Sequence, residues 1–108
     1  MPQPQAAVQP PDPGAALLLT KQYNCVACHA MSHKVVGPSW VDIAAKYKGV
    51  TEFEYFGHSY PLVEGLTIKV SRGGAGHWGS MPMPANDPSG THQNDMNALV
   101  RYVLNVSR

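Results

Sequence analysis

With 108 residues, a net charge of +1 and only 14% charged side chains, this chain is bounded to one small domain and lacks the basic footprint of a nucleic-acid binder. Its longest apolar block, Ala15-Ala16-Leu17-Leu18-Leu19, is far shorter than the ~20 residues of a membrane span. A chain of this size buries only about two-thirds of its unfolded surface, so its own side chains form a small core.

Residues 1–11 (MPQPQAAVQPP) are rich in Pro and Gln and carry no apolar period. They read as a flexible tail, either the exposed start of a mature chain or a linker, with the folded domain spanning 12–108. Asp12-Pro13 then reads as a helix start, Asp12 as the N-cap and Pro13 in the first helical position. Leu17, Leu18 and Lys21-Gln22 continue that helix. Leu18 and, further on, Val26 are expected to meet the core or whatever fills it.

The segment Asn24-Cys25-Val26-Ala27-Cys28-His29 holds both cysteines of the chain, two residues apart and followed at once by histidine. C-x-x-C-H is the pattern of covalent c-type haem attachment. Two thiols on one turn can each bond a haem vinyl group, and the next side chain then offers an imidazole to the iron. Three plainer readings compete. A structural zinc site needs four ligands, and no second C-x-x-C or H-x3-H follows. A thioredoxin-like redox pair calls for a strand-helix-strand context, which is not legible here. A disulfide across a two-residue gap closes a small, strained ring. Haem attachment is the reading that remains, and a large apolar cofactor would supply the interior that the chain lacks. Such attachment takes place outside the bacterial cytoplasm, which implies export to the periplasm. No basic n-region and long apolar h-region precede the motif, so the chain is expected to be a mature form.

After His29, residues 30–36 read as loop. Pro38 has no N–H but its carbonyl can accept. That carbonyl is a candidate partner for the second ring nitrogen of His29, which would fix the tautomer. Ser39 is expected to cap a helix over 40–47 that ends at Gly49. Trp40, Ile43, Ala44 and Tyr47 form its buried stripe.

The runs Cys25-Val-Ala-Cys-His-Ala, Val36-Gly-Pro-Ser-Trp-Val-Asp-Ile-Ala-Ala-Lys-Tyr and Gly76-His-Trp-Gly-Ser-Met-Pro-Met-Pro-Ala-Asn86, in that order, resemble the small bacterial class I c-type cytochromes. These are single-haem periplasmic electron carriers, and the likeness covers most of 13–106. The stretch between Gly49 and Lys69 is longer than in that family and holds Phe53, Tyr55, Phe56 and Tyr60. It is expected to be an extra loop packing its aromatics on the domain; a partner-docking surface is the alternative. Within it, Thr51-Glu52-Phe53-Glu54 has the form of a capping box, although Gly57 and Pro61 leave no room for a long helix. A further helix is expected from about Pro61 to Arg72, with Leu62, Val63, Leu66 and Val70 on one face.

Gly73-Gly74-Ala75-Gly76 permits an irregular path where backbone must approach something closely. By the resemblance, Trp78 donates its indole N–H to a haem propionate and Lys69 serves the same propionates. In Ser80-Met81-Pro82-Met83-Pro84 the prolines stiffen an extended loop, and a thioether is a soft iron ligand that raises the potential of a His-ligated haem. On chemistry alone either methionine could reach. The resemblance of Met83-Pro84-Ala85-Asn86 to the family selects Met83, with Asn86 steadying the ligand loop. Met31 is too near His29 to reach the opposite haem face, and Met96 belongs to an apolar stripe. That stripe, Met96, Leu99, Val100, Val103 and Leu104, marks the last helix, with Thr91 as its expected N-cap. His33, His58 and His92 read as exposed; His77, beside Trp78, is a candidate for a pH-linked role.

The sum is an all-α, cytochrome c-like fold: about four short helices around one covalent haem c, the first and last packed together. The expected function is one-electron transfer, with His29 and Met83 as axial ligands, between redox partner proteins such as a periplasmic dehydrogenase, reductase or terminal oxidase. The expected protein is a monomer without a transmembrane segment, and not an enzyme. Two rivals stand beside this. One is a peroxidase-like enzyme or ligand sensor with an open distal position, for which His77 and Arg72 are the nearby candidates. The other is the haem subunit of a larger oxidoreductase complex.

Overall fold

The computed structural model describes residues 9–106; of the tail expected at 1–11, residues 1–8 lie outside them. The elements are α1 (Pro13–Gln22), a 3-10 turn (Cys25–Ala27), α2 (Trp40–Tyr47), β1 (Glu52–Tyr55), β2 (His58–Pro61), α3 (Leu62–Arg72) and α4 (Gln93–Leu104). The four expected helices of the cytochrome c-like fold are all present, and one small hairpin that the sequence reading did not foresee stands beside them.

Helix α1 starts as its sequence implies. The Asp12 carboxylate accepts from the Ala15 N–H at 3.0 Å, with Pro13 next in line. Its buried face consists of Ala16 and Thr20, four residues apart and small enough to let α4 approach closely. Leu18 is two positions round the helix from Ala16 and is 68% exposed, and Val26 is also exposed. Neither reaches the protein core, because the small-residue stripe rather than the leucines faces α4. The C-terminal end of α1 is tied to α4 by Tyr23, whose hydroxyl donates to Asp95 at 2.6 Å. That hydrogen bond, with lesser help from burial and the Asp95 charge, pushes the Tyr23 phenol up to about 12.

Ser39 caps α2 by accepting from the Asp42 N–H at 3.1 Å, and Gly49 follows the helix with a φ of 75°. Trp40, Ala44 and Tyr47 are buried and Ile43 packs beside them. The chain then departs from the capping-box reading. Residues 52–55 form β1, antiparallel to β2 with Phe53 opposite Tyr60 and Tyr55 opposite His58. Phe53 and Tyr55 point inward while Glu52 and Glu54 face out, the period of two that a half-buried strand requires. The two-residue connection, Phe56-Gly57, has φ values of 47° and 81°. Both are positive, as the tight turns that match strand twist demand. So the aromatics do pack on the domain, but as a hairpin; only Phe56 is left out, at 77% exposure.

Helix α3 follows the hairpin directly and buries Leu62 and Leu66 with Tyr47, Phe53, Tyr55 and Val100 in one cluster. Gly65 lets the hairpin lie close: a Cβ there would fall 2.8 Å from the Phe53 Cβ. Helix α4 buries Met96, Leu99, Val100 and Val103 and packs on α1, α2 and α3. Its expected cap, Thr91, is displaced. The buried Asp87 carboxylate accepts from the N–H groups of Thr91 (3.1 Å) and His92 (2.9 Å) and from the Gln93 amide (2.7 Å).

Candidate haem-binding site

The cysteine motif is shaped by its own backbone. Asn24, with a φ of 59°, leads into the 3-10 turn, and the Cys25 carbonyl accepts from the N–H groups of Cys28 (3.1 Å) and His29 (2.9 Å). The Cys28 carbonyl in turn accepts from Gly37 at 2.8 Å, folding the loop back over the motif. Both cysteines are half-buried free thiols. Burial pushes the Cys25 thiol up.

His29 is buried. Its Nδ1 lies 2.6 Å from the Pro38 carbonyl, which can only accept, so Nδ1 carries the proton and Nε2 keeps its lone pair. Burial lowers the imidazole's proton affinity, and the Pro38 carbonyl works against this. The ring stacks on Trp40 with centroids 4.5 Å apart. Gly37 is the cradle that sequence reasoning missed, since a Cβ there would come 2.6 Å from His29 Cε1.

A second wall is built by the end of α3 and the methionine loop. Gly74 and Met83 exchange two backbone hydrogen bonds, both 2.9 Å. Gly73, with a φ of 76°, lies so close that a Cβ would overlap the Met83 carbonyl, which is what the glycine run is for. Asn86 holds the loop to α3 through its side-chain amide (3.1 Å) and its backbone N–H (3.2 Å), both donated to the Val70 carbonyl. Tyr55, also not foreseen, donates from its hydroxyl to the Gly73 carbonyl at 2.9 Å. The Lys69 ammonium, buried and lowered in proton affinity by that burial, donates to the Gly74 carbonyl.

Cys25, Cys28, His29, Pro38, Lys69, Trp78, Met81 and Met83 all line one cavity of about 310 Å³, at the lower end of the range for ligand sites. Asn86 stands behind its wall. Trp78 is 42% exposed at its mouth, with the Lys46 ammonium 4.2 Å from the ring centroid. Much of the remaining wall is apolar, from Ile43, Phe53, Leu66, Val70, Leu99 and Val103. Two free thiols, an imidazole with Nε2 open, thioether sulfurs and apolar walls together suit a covalently held haem. Arg72, one of the two residues considered for an open distal site, does not line the cavity.

Comparison with known proteins agrees. The family model for cytochrome c matches residues 12–107. The chain is 35% identical over 92 residues to cytochrome c-551 of Allochromatium vinosum, covering 85% of this chain and 86% of that relative. It is 35% identical over 88 residues to cytochrome c-552 of Hydrogenobacter thermophilus, covering 82% and 78%. The crystal structure of cytochrome c552 from Nitrosomonas europaea superposes with a TM-score of 0.66 at 35% identity, covering 84% of this chain and 99% of that one. A thiol pair and histidine on one turn, a methionine loop on the same cavity, and a family match across 12–107 lead to one conclusion: the chain belongs to the cytochrome c family, among its small class I members.

Proposed function

We propose that Cys25, Cys28, His29 and Met83 hold the single haem c by which this cytochrome carries electrons. What supports the assignment above all is that these four side chains line one cavity while His29 Nδ1 is committed to the Pro38 carbonyl. Cys25 and Cys28 would form the two thioether bonds. His29 would ligate through Nε2 in the tautomer that Pro38 fixes. Met83 would supply a thioether sulfur to the iron, its backbone pinned to Gly74 and its loop held by Asn86. Lys69 and Trp78 serve the cofactor's propionates in this reading. When bound, haem c supplies a one-electron Fe(III)/Fe(II) couple whose potential the His/Met pair raises.

The residues of the chain exclude water and hold the ligands still, so little need move when the electron passes. Val36, Trp78 and Met81 are exposed and also line the cavity, giving the mouth an apolar rim. Such a rim suits brief, low-area encounters with redox partners. We place the protein in the periplasm, exchanging electrons with a dehydrogenase, reductase or terminal oxidase.

The test is the far-red absorption of the ferric protein, where methionine sulfur on ferric haem gives a weak charge-transfer band. The band is expected in wild type and in Met81→Leu, and lost in Met83→Leu. Loss in Met81→Leu instead would move the ligand to that residue. A wild type without the band, whose reduced form binds carbon monoxide readily, would overturn the assignment in favour of an open distal site.

A further inference from the structure

The Met83 loop is held from two directions. On the α3 side, Asn86 donates from its side chain and its backbone to the Val70 carbonyl. On the other side, Met83 exchanges its two backbone hydrogen bonds with Gly74, so the loop is only as fixed as the segment that contains Gly74. That segment is rich in glycine. Gly73, Gly74, Gly76 and Gly79 have φ values of 76°, 114°, 105° and 98°, and glycine loses more backbone freedom on ordering than any other residue.

What the segment leans on is the β1–β2 hairpin, which lies in the stretch where this chain is longer than the class I cytochromes it resembles. Three contacts join them. The buried Tyr55 side chain donates its hydroxyl to the Gly73 carbonyl at 2.9 Å. The Phe56 ring reaches Gly74, where an added Cβ would lie 3.6 Å from the ring's Cζ. His77 stacks on Phe53 with centroids 4.5 Å apart, and its Nε2 lies 2.9 Å from the Glu54 carbonyl. Phe56 makes its contact from a φ of 47°, a left-handed conformation that is an outlier for a bulky residue. Such backbone strain persists only where the surrounding structure holds it. Here the ring is set edge-on against Tyr55, centroids 4.6 Å apart, and seated beside the segment it helps to hold.

We infer that the hairpin braces the ligand loop and that Tyr55 is the positioning residue of that brace, keeping the Met83 sulfur at the iron by fixing the Gly73-Gly74 backbone. The inference rests on the reading of Met83 as the ligand, and adds what keeps it in place. Tyr55 does not line the cavity, so it acts through the backbone and not by touching the cofactor. A ligand site is tight only when the groups behind it are themselves held. An unbraced glycine segment would have to be ordered again, at a cost in conformational entropy, each time the sulfur returned to the iron.

Tyr55→Phe tests this, because it keeps the ring and removes one oxygen, leaving the buried Gly73 carbonyl unpaired. The readout is the rate at which cyanide displaces methionine from the ferric, haem-loaded protein, followed as loss of the far-red band. At saturating cyanide that rate is the rate at which the sulfur leaves. Loss of one hydrogen bond typically shifts an equilibrium by about fivefold, so Tyr55→Phe is expected to speed displacement by about that factor. The control is Tyr23→Phe, which removes a hydroxyl donated to Asp95 between α1 and α4, away from the brace. It should lower the urea midpoint and leave the displacement rate unchanged.

An unchanged rate in Tyr55→Phe overturns the inference, and so does an equal rise in both variants, which would be general loosening. Should Tyr55→Phe fail to hold haem, amide hydrogen exchange in the wild type decides. Gly74 and Met83 amides that exchange as slowly as those bonded across β1 and β2 support the brace; faster exchange shows a loop that opens without the hairpin, and sinks it. Failure of the ligand reading shows separately, as a wild type that has no far-red band before cyanide is added.

Discussion

The carboxylate of Asp87 is 2% exposed and accepts three hydrogen bonds at the start of α4. Burial alone would push this carboxyl up, but the bonds from Gln93, His92 and Thr91 and the nearby His92 ring outweigh it and hold it below the usual carboxylate range. A carboxyl depressed in the folded state stabilises at every pH above its unfolded value of about 3.9 and loses that effect as pH falls through the lower folded value. Asp87→Ala is therefore expected to lower the denaturation midpoint by an amount constant near neutral pH and shrinking below about pH 3.9. Urea unfolding of both proteins at several pH values checks it; a constant gap into strong acid would refute the charge-based account. The acceptor was hidden in the sequence because it lies four and five residues before the N–H groups it serves, across the Pro88-Ser89-Gly90 turn. Thr91 next to the helix carried the ordinary signal. The C-x-x-C-H motif and the Pro38 carbonyl, whose chemistry is local, could be read directly.

The hairpin is where the elements diverged from what periodicity suggested. Pro13, Ser39 and the apolar stripes of α2, α3 and α4 announced all four helices, since caps and 3.6-residue spacing leave strong marks. Glu52-Phe53-Glu54-Tyr55 also alternates, yet over four residues such alternation competes with a capping box, and Phe56 stands where a tight hairpin turn usually has Asn or Asp. What fixes the hairpin is tertiary: α3 presents Gly65 to Phe53 and Tyr60. Alanine is the better helix former by about 1 kcal/mol, but its Cβ would lie 2.8 Å from the Phe53 Cβ and 3.2 Å from that of Tyr60. Gly65→Ala is expected to cost about 1–3 kcal/mol net through overpacking, measured by chemical denaturation. A neutral or stabilising result would mean that the hairpin is free to shift away from α3.

At the scale of the whole molecule, the chain folds to a radius of gyration of 12.9 Å, the value of about 13 Å expected for a compact chain of this length, although it encloses a cavity touched by α2, β1, α3 and α4. Each of those elements turns apolar surface toward the same space, so what occupies it is part of the core. Replacing both Cys25 and Cys28 by Ala and removing haem is expected to abolish cooperative thermal unfolding and most of the far-ultraviolet helical signal. Native-like ellipticity in the haem-free protein would contradict this. The hairpin bears on how whole molecules meet. Its two strands are each four residues long, Glu52 and Glu54 put negative charge on its outer side, and Pro61 closes β2 with no N–H to offer. Short, charged, proline-ended strands are poor templates for pairing with another chain, so the added sheet comes without an edge that invites aggregation.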